Sequence, residues 1–96
     1  MKADGYYLGV DLCSVSLDGM VVDGSGRLLW YAYSRVQGRS RDAVAILCRQ
    51  LLEEWMLPNR VRSFNGALAT GSGKEIVQEM LNIPAVNEIV AHGTAA

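Results

Sequence analysis

Two short apolar runs, residues 6–10 and residues 17–22, flank a polar corner. Short apolar runs bounded by turn residues predict two strands. In the first, Leu8 and Val10 share a face, and Gly9 leaves the other face open to close approach. Asp23-Gly24-Ser25-Gly26 then predicts a tight reversal. Residues 27–34, Arg-Leu-Leu-Trp-Tyr-Ala-Tyr-Ser, predict a third strand rich in aromatic and β-favouring residues. The three strands form an antiparallel meander.

The period changes after residue 40. Val44, Leu47, Cys48, Leu51, Leu52 and Trp55 recur at helical spacing, which predicts an amphipathic helix. Ser40 is its expected N-cap, Asp42 complements the dipole in the first turn, and Pro58 ends it, with Leu57 pushed out of helical geometry. Residues 62–69 predict a fourth strand, parallel to the first because a crossover helix precedes it. Ser72 is expected to open a second helix through a Ser-x-x-Glu box to Glu75, with Ile76, Val77, Met80 and Leu81 as its buried stripe. Residues 85–86 suggest a short edge strand, and Asn87 caps a last helix running to Ala96. Together these elements predict an α/β domain: a mixed sheet, with a three-strand antiparallel meander plus parallel strands and flanking helices, in a ribonuclease-H-like layer. At 96 residues the chain holds one domain, and the helix that stops without a C-cap suggests the front portion of a longer protein.

Composition removes several classes. Half of the residues are apolar and the formal net charge is −1, so the balance offers no basic face for nucleic acid. The nearest basic group, Arg35, Arg39 and Arg41, is interrupted by Asp42. No apolar run is long enough for a membrane span, and the N-terminus lacks a signal peptide's apolar stretch, so a cytoplasmic location is the default. Cys13 and Cys48 match no zinc or iron–sulfur spacing and are expected as thiols, Cys48 on the apolar helix face.

Three groups of residues could carry chemistry. Asp11, followed by Ser14 and Ser16, puts a carboxylate and hydroxyls beside a turn, where a cation and phosphoryl oxygens could be held; an aspartate in that place also serves simply to turn the chain. Thr70-Gly71-Ser72-Gly73-Lys74 leads from a strand end into a helix N-terminus, an arrangement that suits anions and equally an ordinary helix start. It is not a P-loop, because Ser72-Gly73 follows Gly71 where Lys-Ser/Thr is required. Glu88 and His92 lie four apart on one helical face and could support a site; with one imidazole and no second nitrogen or sulfur ligand, a surface role is the commoner outcome.

Residues 8–16, Leu-Gly-Val-Asp-Leu-Cys-Ser-Val-Ser, resemble the first phosphate segment of the actin, sugar kinase and heat-shock-chaperone ATPase superfamily. More narrowly they are similar to the activator ATPases of 2-hydroxyacyl-CoA dehydratases and benzoyl-CoA reductases, the CoA-substrate-specific enzyme activases, whose pattern is close to Gly-Ile-Asp-x-Gly-Ser. Residues 68–74 resemble that family's Ala-Thr-Gly-x-Gly-Arg segment, and residues 87–92 its Glu-containing segment. The three fall in the family's order and spacing over nearly the whole chain. The resemblance implies an actin-like ATPase lobe in which Asp11 organises Mg²⁺ through water, and in which the backbone at Cys13, Ser14, Ser16, Gly71, Ser72 and Gly73 faces ATP phosphates. For the complete protein it implies a homodimer that passes electrons to an acyl-CoA dehydratase or reductase component. It also implies a second lobe and a [4Fe–4S] cluster held by cysteines beyond residue 96, so Cys13 and Cys48 are not its ligands. Cys13 stands where the family has glycine, and Asp18 where many relatives carry lysine. Those departures carry the alternative, a non-hydrolysing lobe that serves as a protein-interaction scaffold. A third alternative, a metal nuclease, needs more carboxylates converging on Asp11 than Glu75 and Glu88 supply.

Overall fold

The computed structural model describes residues 5–83. The expected strand at residues 85–86 and the last helix, with Asn87, Glu88 and His92, lie outside the described residues. β1 (Tyr6–Leu12), β2 (Ser16–Asp23) and β3 (Leu28–Arg35) form the expected meander, and β4 (Gly66–Thr70) pairs parallel with β1. The sheet order is β3-β2-β1-β4, so the molecule is a mixed α/β domain. The fourth strand is shorter than expected. Residues 62–65 stay outside the ladder, and Asn65 instead clasps the start of β1: its amide donates to the Tyr6 carbonyl at 2.7 Å and its Oδ1 accepts from the Tyr6 amide at 2.9 Å.

Alternation sorts the sheet into two faces. Leu8, Val10, Leu12, Leu17, Val21, Trp30 and Ala69 are buried in one cluster with Val44, Leu47 and Val77 from the helices. Gly19 keeps the sheet open to a helix, for a Cβ there would lie 2.9 Å from a Leu47 methyl. The other face carries Met20, Tyr31, Tyr33 and Leu68, all exposed. Each fully buried leucine, such as Leu12 or Leu17, contributes on the order of 2 kcal/mol through removal from water. The helical layer therefore fixes the sheet, and the sheet in turn fixes the ends of β1 and β4.

The helical segments depart from the sequence expectation in three places. α1 (Ser40–Leu51) starts at Ser40 with Arg39 as its cap residue, and no side chain caps it. The Ala43 amide bonds the Arg39 carbonyl, so the first helical bond begins one residue before the expected cap. A wider π-helical turn then spans Leu52–Met56, with the Leu57 amide bonding the Leu52 carbonyl five residues back. That turn brings Trp55 into the core and leaves Leu52 43% exposed, so the buried stripe is Val44, Leu47, Leu51 and Trp55. Trp55 stacks on Phe64 with centroids 6.0 Å apart and meets Tyr6 edge-on at 5.2 Å. Leu57 is helical, contrary to the expectation at Pro58, and α2 (Leu57–Asn59) runs past the proline before Arg60 closes it in the left-handed region. A widened turn just upstream relieves the crowding that a proline ring imposes on the preceding carbonyls.

α3 (Lys74–Leu81), by contrast, starts late. Gly73, not Ser72, is the cap residue, and the expected capping box is not formed. Val77 is its buried anchor, Ile76 and Leu81 pack at the margin of the core, and Met80 is exposed. Asn82 ends the helix in the left-handed region, and the Ile83 amide bonds back to the Gln78 carbonyl at 2.9 Å. Among the described residues no helix is long and apolar enough to cross a membrane.

Candidate functional site

Asp11 sits one residue before the end of β1. The alternation that buries Val10 and Leu12 turns Asp11 to the face without helices. In the register, Thr70 of β4 stands beside Asp11 on one side and Asp18 of β2 on the other. Thr70 Oγ1 donates to Asp11 Oδ1 at 3.1 Å, across 59 residues of sequence. The two segments singled out from the sequence are therefore one structure, joined by parallel pairing of β1 with β4.

The joint is tight. Gly71 has φ +93°, and a Cβ there would lie 2.3 Å from the Leu12 carbonyl oxygen and 2.5 Å from Asp11 Oδ1. Only glycine permits that backbone together with that approach. The Gly73 amide donates to the Leu12 carbonyl at 2.8 Å, the Lys74 amide to the Gly71 carbonyl at 3.2 Å, and the Ile76 amide to the Gly73 carbonyl at 3.0 Å. This tie to β1 is why the helix begins after Ser72. The β4–α3 turn takes its shape from its contact with Leu12 as well as from its own sequence.

On the β1–β2 side the hairpin is short. The Cys13 amide bonds the Ser16 carbonyl at 2.9 Å, which leaves Ser14 and Val15 at the tip. Ser14 is exposed and Ser16 half-buried. Among the described residues, the amides of Ser14, Val15 and Ser72 have no backbone partner. Cys13 is half-buried, and its thiol lies 3.8 Å from Asp11 Oδ1, a weak S–H contact to the carboxylate. The sulfur thus lies on the carboxylate side of the hairpin.

Asp18 was singled out from the sequence only as an acid in a basic position. The register makes it the cross-strand neighbour of Asp11, on the same face, where directly opposed side chains have Cβ atoms about 5 Å apart. Like charges so placed repel each other and together favour a cation. Tyr31 donates its phenol to Asp18 Oδ1 at 2.9 Å, and that bond, with burial second, raises the Tyr31 pKa above its ordinary value. Thr70 and Asp18 reach the site through strand register: the pairing of β1 with β4 sets Thr70 beside Asp11, and a hairpin with Ser14 and Val15 at its tip sets Asp18 opposite Asp11.

Of the expected site residues, the structure gathers Asp11, Cys13, Gly71 and Gly73 around the end of β1: Cys13 and Gly71 each approach Asp11, and Gly73 bonds Leu12. Ser14, Ser16 and Ser72 lie in the two turns that flank it, and Glu88 and His92 lie outside the described residues. No cluster of three or more His, Cys, Asp or Glu side chains suited to a metal ion occurs among the described residues. The arrangement fits a cation held mainly through water: Asp11 Oδ1 takes the Thr70 and Cys13 contacts, and Oδ2 has no hydrogen bond among the described residues. Comparison with known proteins finds no family model that matches the chain and no curated relative.

Proposed function

We propose that this chain is the nucleotide-facing lobe of an actin-like, ribonuclease-H-like ATPase of the activator type, which in its complete form uses Mg²⁺ and ATP to drive electron donation to an acyl-CoA dehydratase or reductase. One observation carries the reading: the two turns that resemble phosphate segments, 59 residues apart, meet at one end of the sheet through the Thr70–Asp11 and Gly73–Leu12 bonds. The meander followed by a crossover to a parallel strand also accords with such a lobe. Asp11 would orient the waters of a Mg²⁺ ion, which neutralises phosphate charge when bound. The free amides of Ser14 and Ser72 would receive phosphoryl oxygens, and Gly71 and Gly73 let their turn close on the end of β1 beside Asp11. With one wall of a nucleotide cleft, binding is expected to be weak. Calorimetric titration with Mg·ATP checks this reading: saturable binding by this chain that Asp11→Asn abolishes supports it, and equal binding by the two proteins contradicts it.

Two contacts favour a second reading, a scaffold lobe that does not hydrolyse ATP. The Cys13 thiol abuts the carboxylate that would hold the cation, and Asp18 adds negative charge beside it. The exposed face with Met20, Tyr31, Tyr33 and Leu68 would then serve protein contacts. Cys13→Gly separates the two readings. The ATPase reading expects tighter Mg·ATP binding in that variant, and the scaffold reading expects no change.

A further inference from the structure

Thr70 enters the sequence reading only as the first residue of the 70–74 turn, yet its side chain makes the longest-range hydrogen bond to Asp11. The two residues are register partners on adjacent parallel strands, and Thr70 Oγ1 donates to Asp11 Oδ1 at 3.1 Å. The same oxygen faces the Gly71 backbone so closely that a Cβ there would come within 2.5 Å of it. It also receives the Cys13 thiol contact at 3.8 Å. Oδ1 is thus enclosed by three groups from two turns. Oδ2 is the oxygen without a hydrogen bond among the described residues. The backbone of the turn that follows Asp11 does not use the carboxylate, because the hairpin is closed by the Cys13 amide and the Ser16 carbonyl.

We propose that Thr70 is the positioning residue for Asp11: its hydroxyl commits Oδ1 to the interior of the joint and so presents Oδ2 to a divalent cation. The assignment rests on the reading of Asp11 as the cation-holding carboxylate. A carboxylate free to rotate would offer either oxygen and would lose that freedom on binding. One already fixed by a neighbouring hydroxyl binds without that cost. Hydrogen-bond partners of cation-holding groups typically influence affinity by about ten- to a hundredfold.

Mn²⁺ alone, titrated into the ¹⁵N-labelled chain, tests this through paramagnetic broadening of backbone amides. In the wild type, broadening is expected to centre on Asp11, Leu12 and Gly71, and Asp11→Asn should abolish it. Thr70→Val keeps the branched shape and removes the donor; it should weaken the apparent Mn²⁺ affinity about tenfold. Thr70→Ser keeps the donor and should stay within about twofold of wild type. A Thr70→Val protein that binds Mn²⁺ as tightly as wild type overturns the assignment. So does a Thr70→Ser protein that falls as far as Thr70→Val, since packing rather than the hydroxyl would then matter. Wild type without broadening near Asp11 overturns both the assignment and the cation role. If Mn²⁺ binds at Asp11 but Mg·ATP moves no amide, the nucleotide reading fails and the Thr70 assignment stands.

Discussion

Two aspartates close the two ends of β1 and β2, and they are used in opposite ways. Asp23 spends its carboxylate on its own turn: Oδ1 accepts from the Ser25 amide at 2.9 Å, the Ser25 hydroxyl at 2.6 Å and the Arg27 amide at 3.0 Å. The turn is closed further by the Gly26 amide to the Asp23 carbonyl at 3.0 Å. Asp11 takes only the weak Cys13 thiol contact from the turn that follows it, and its one conventional hydrogen bond comes from a residue 59 positions away. The glycines differ in the same sense. Gly26 and Gly71 both have positive φ, +90° and +93°, but a Cβ on Gly26 would meet nothing within 4 Å, while one on Gly71 would strike Leu12 and Asp11. A local aspartate–glycine turn completes itself. The Asp11 end is built from two distant segments and leaves part of its polar capacity unspent, as a binding site requires.

The largest expected effect breaks the comparison through those glycines. Gly26→Ala should cost about 1–2 kcal/mol, the conformational penalty of a left-handed alanine. Gly71→Ala adds a backbone clash to that penalty and should cost about 3 kcal/mol or more. Urea unfolding of both variants measures the gap, and equal losses would mean that the β4–α3 turn is not packed against β1 as described.

Replacing the aspartates sharpens the contrast. Asp23→Asn should lower the unfolding midpoint, since three donors lose a charged acceptor. Asp11→Asn should leave stability within about 0.5 kcal/mol, because it relieves repulsion from Asp18 and keeps an acceptor for Thr70. Thermal unfolding at neutral pH compares them. A larger loss at Asp11 would assign it a structural role.

Smaller effects appear in the pH dependence. Bonds from the Ser25 side chain and from backbone amides hold Asp23 below the ordinary aspartate value of 3.8. A depressed acid contributes stability that is present above 3.8 and lost as pH falls through its folded value. Asp23→Asn should remove that acid limb. Tyr31, raised above 10.0 mainly by its bond to Asp18, behaves oppositely: its contribution is present below 10.0 and is lost as pH rises through the folded value. Tyr31→Phe should remove only this alkaline limb. Chemical unfolding between pH 2 and 11 resolves both, and an unchanged acid limb in Asp23→Asn would contradict the bonding described for that turn.

Much of this contrast was legible in the chain. The strands of the meander and the start of the first helix follow from changes in hydrophobic period, and the parallel placement of β4 follows from the intervening helix. Asp23-Gly24-Ser25-Gly26 was readable as a turn because its chemistry is local. Beyond the one-residue difference at the Ser40 cap, the helical misreadings were decided by contacts remote in sequence or by a change of helical pitch. Ser72 lost its capping role because Gly73 bonds Leu12, a β1 residue. Leu52 left the buried stripe, and Leu57 stayed helical before Pro58, because a π-helical turn intervenes. At the site, Asp11 and Gly71 were each visible as motif residues. Their contact, and the entry of Thr70 and Asp18 beside them, emerged only from strand register.

The central claim is that the Asp11 end is one composite site for a cation and phosphate, and that the Asp23 end is only a turn. Amide chemical-shift mapping of the chain during a Mg·ATP titration tests it most directly. The account predicts concentration-dependent shifts in both separated segments, residues 11–14 and residues 70–74, with residues 23–27 unmoved. Shifts in just one of the two segments, shifts of equal size at residues 23–27, or no shift at saturating Mg·ATP would contradict it.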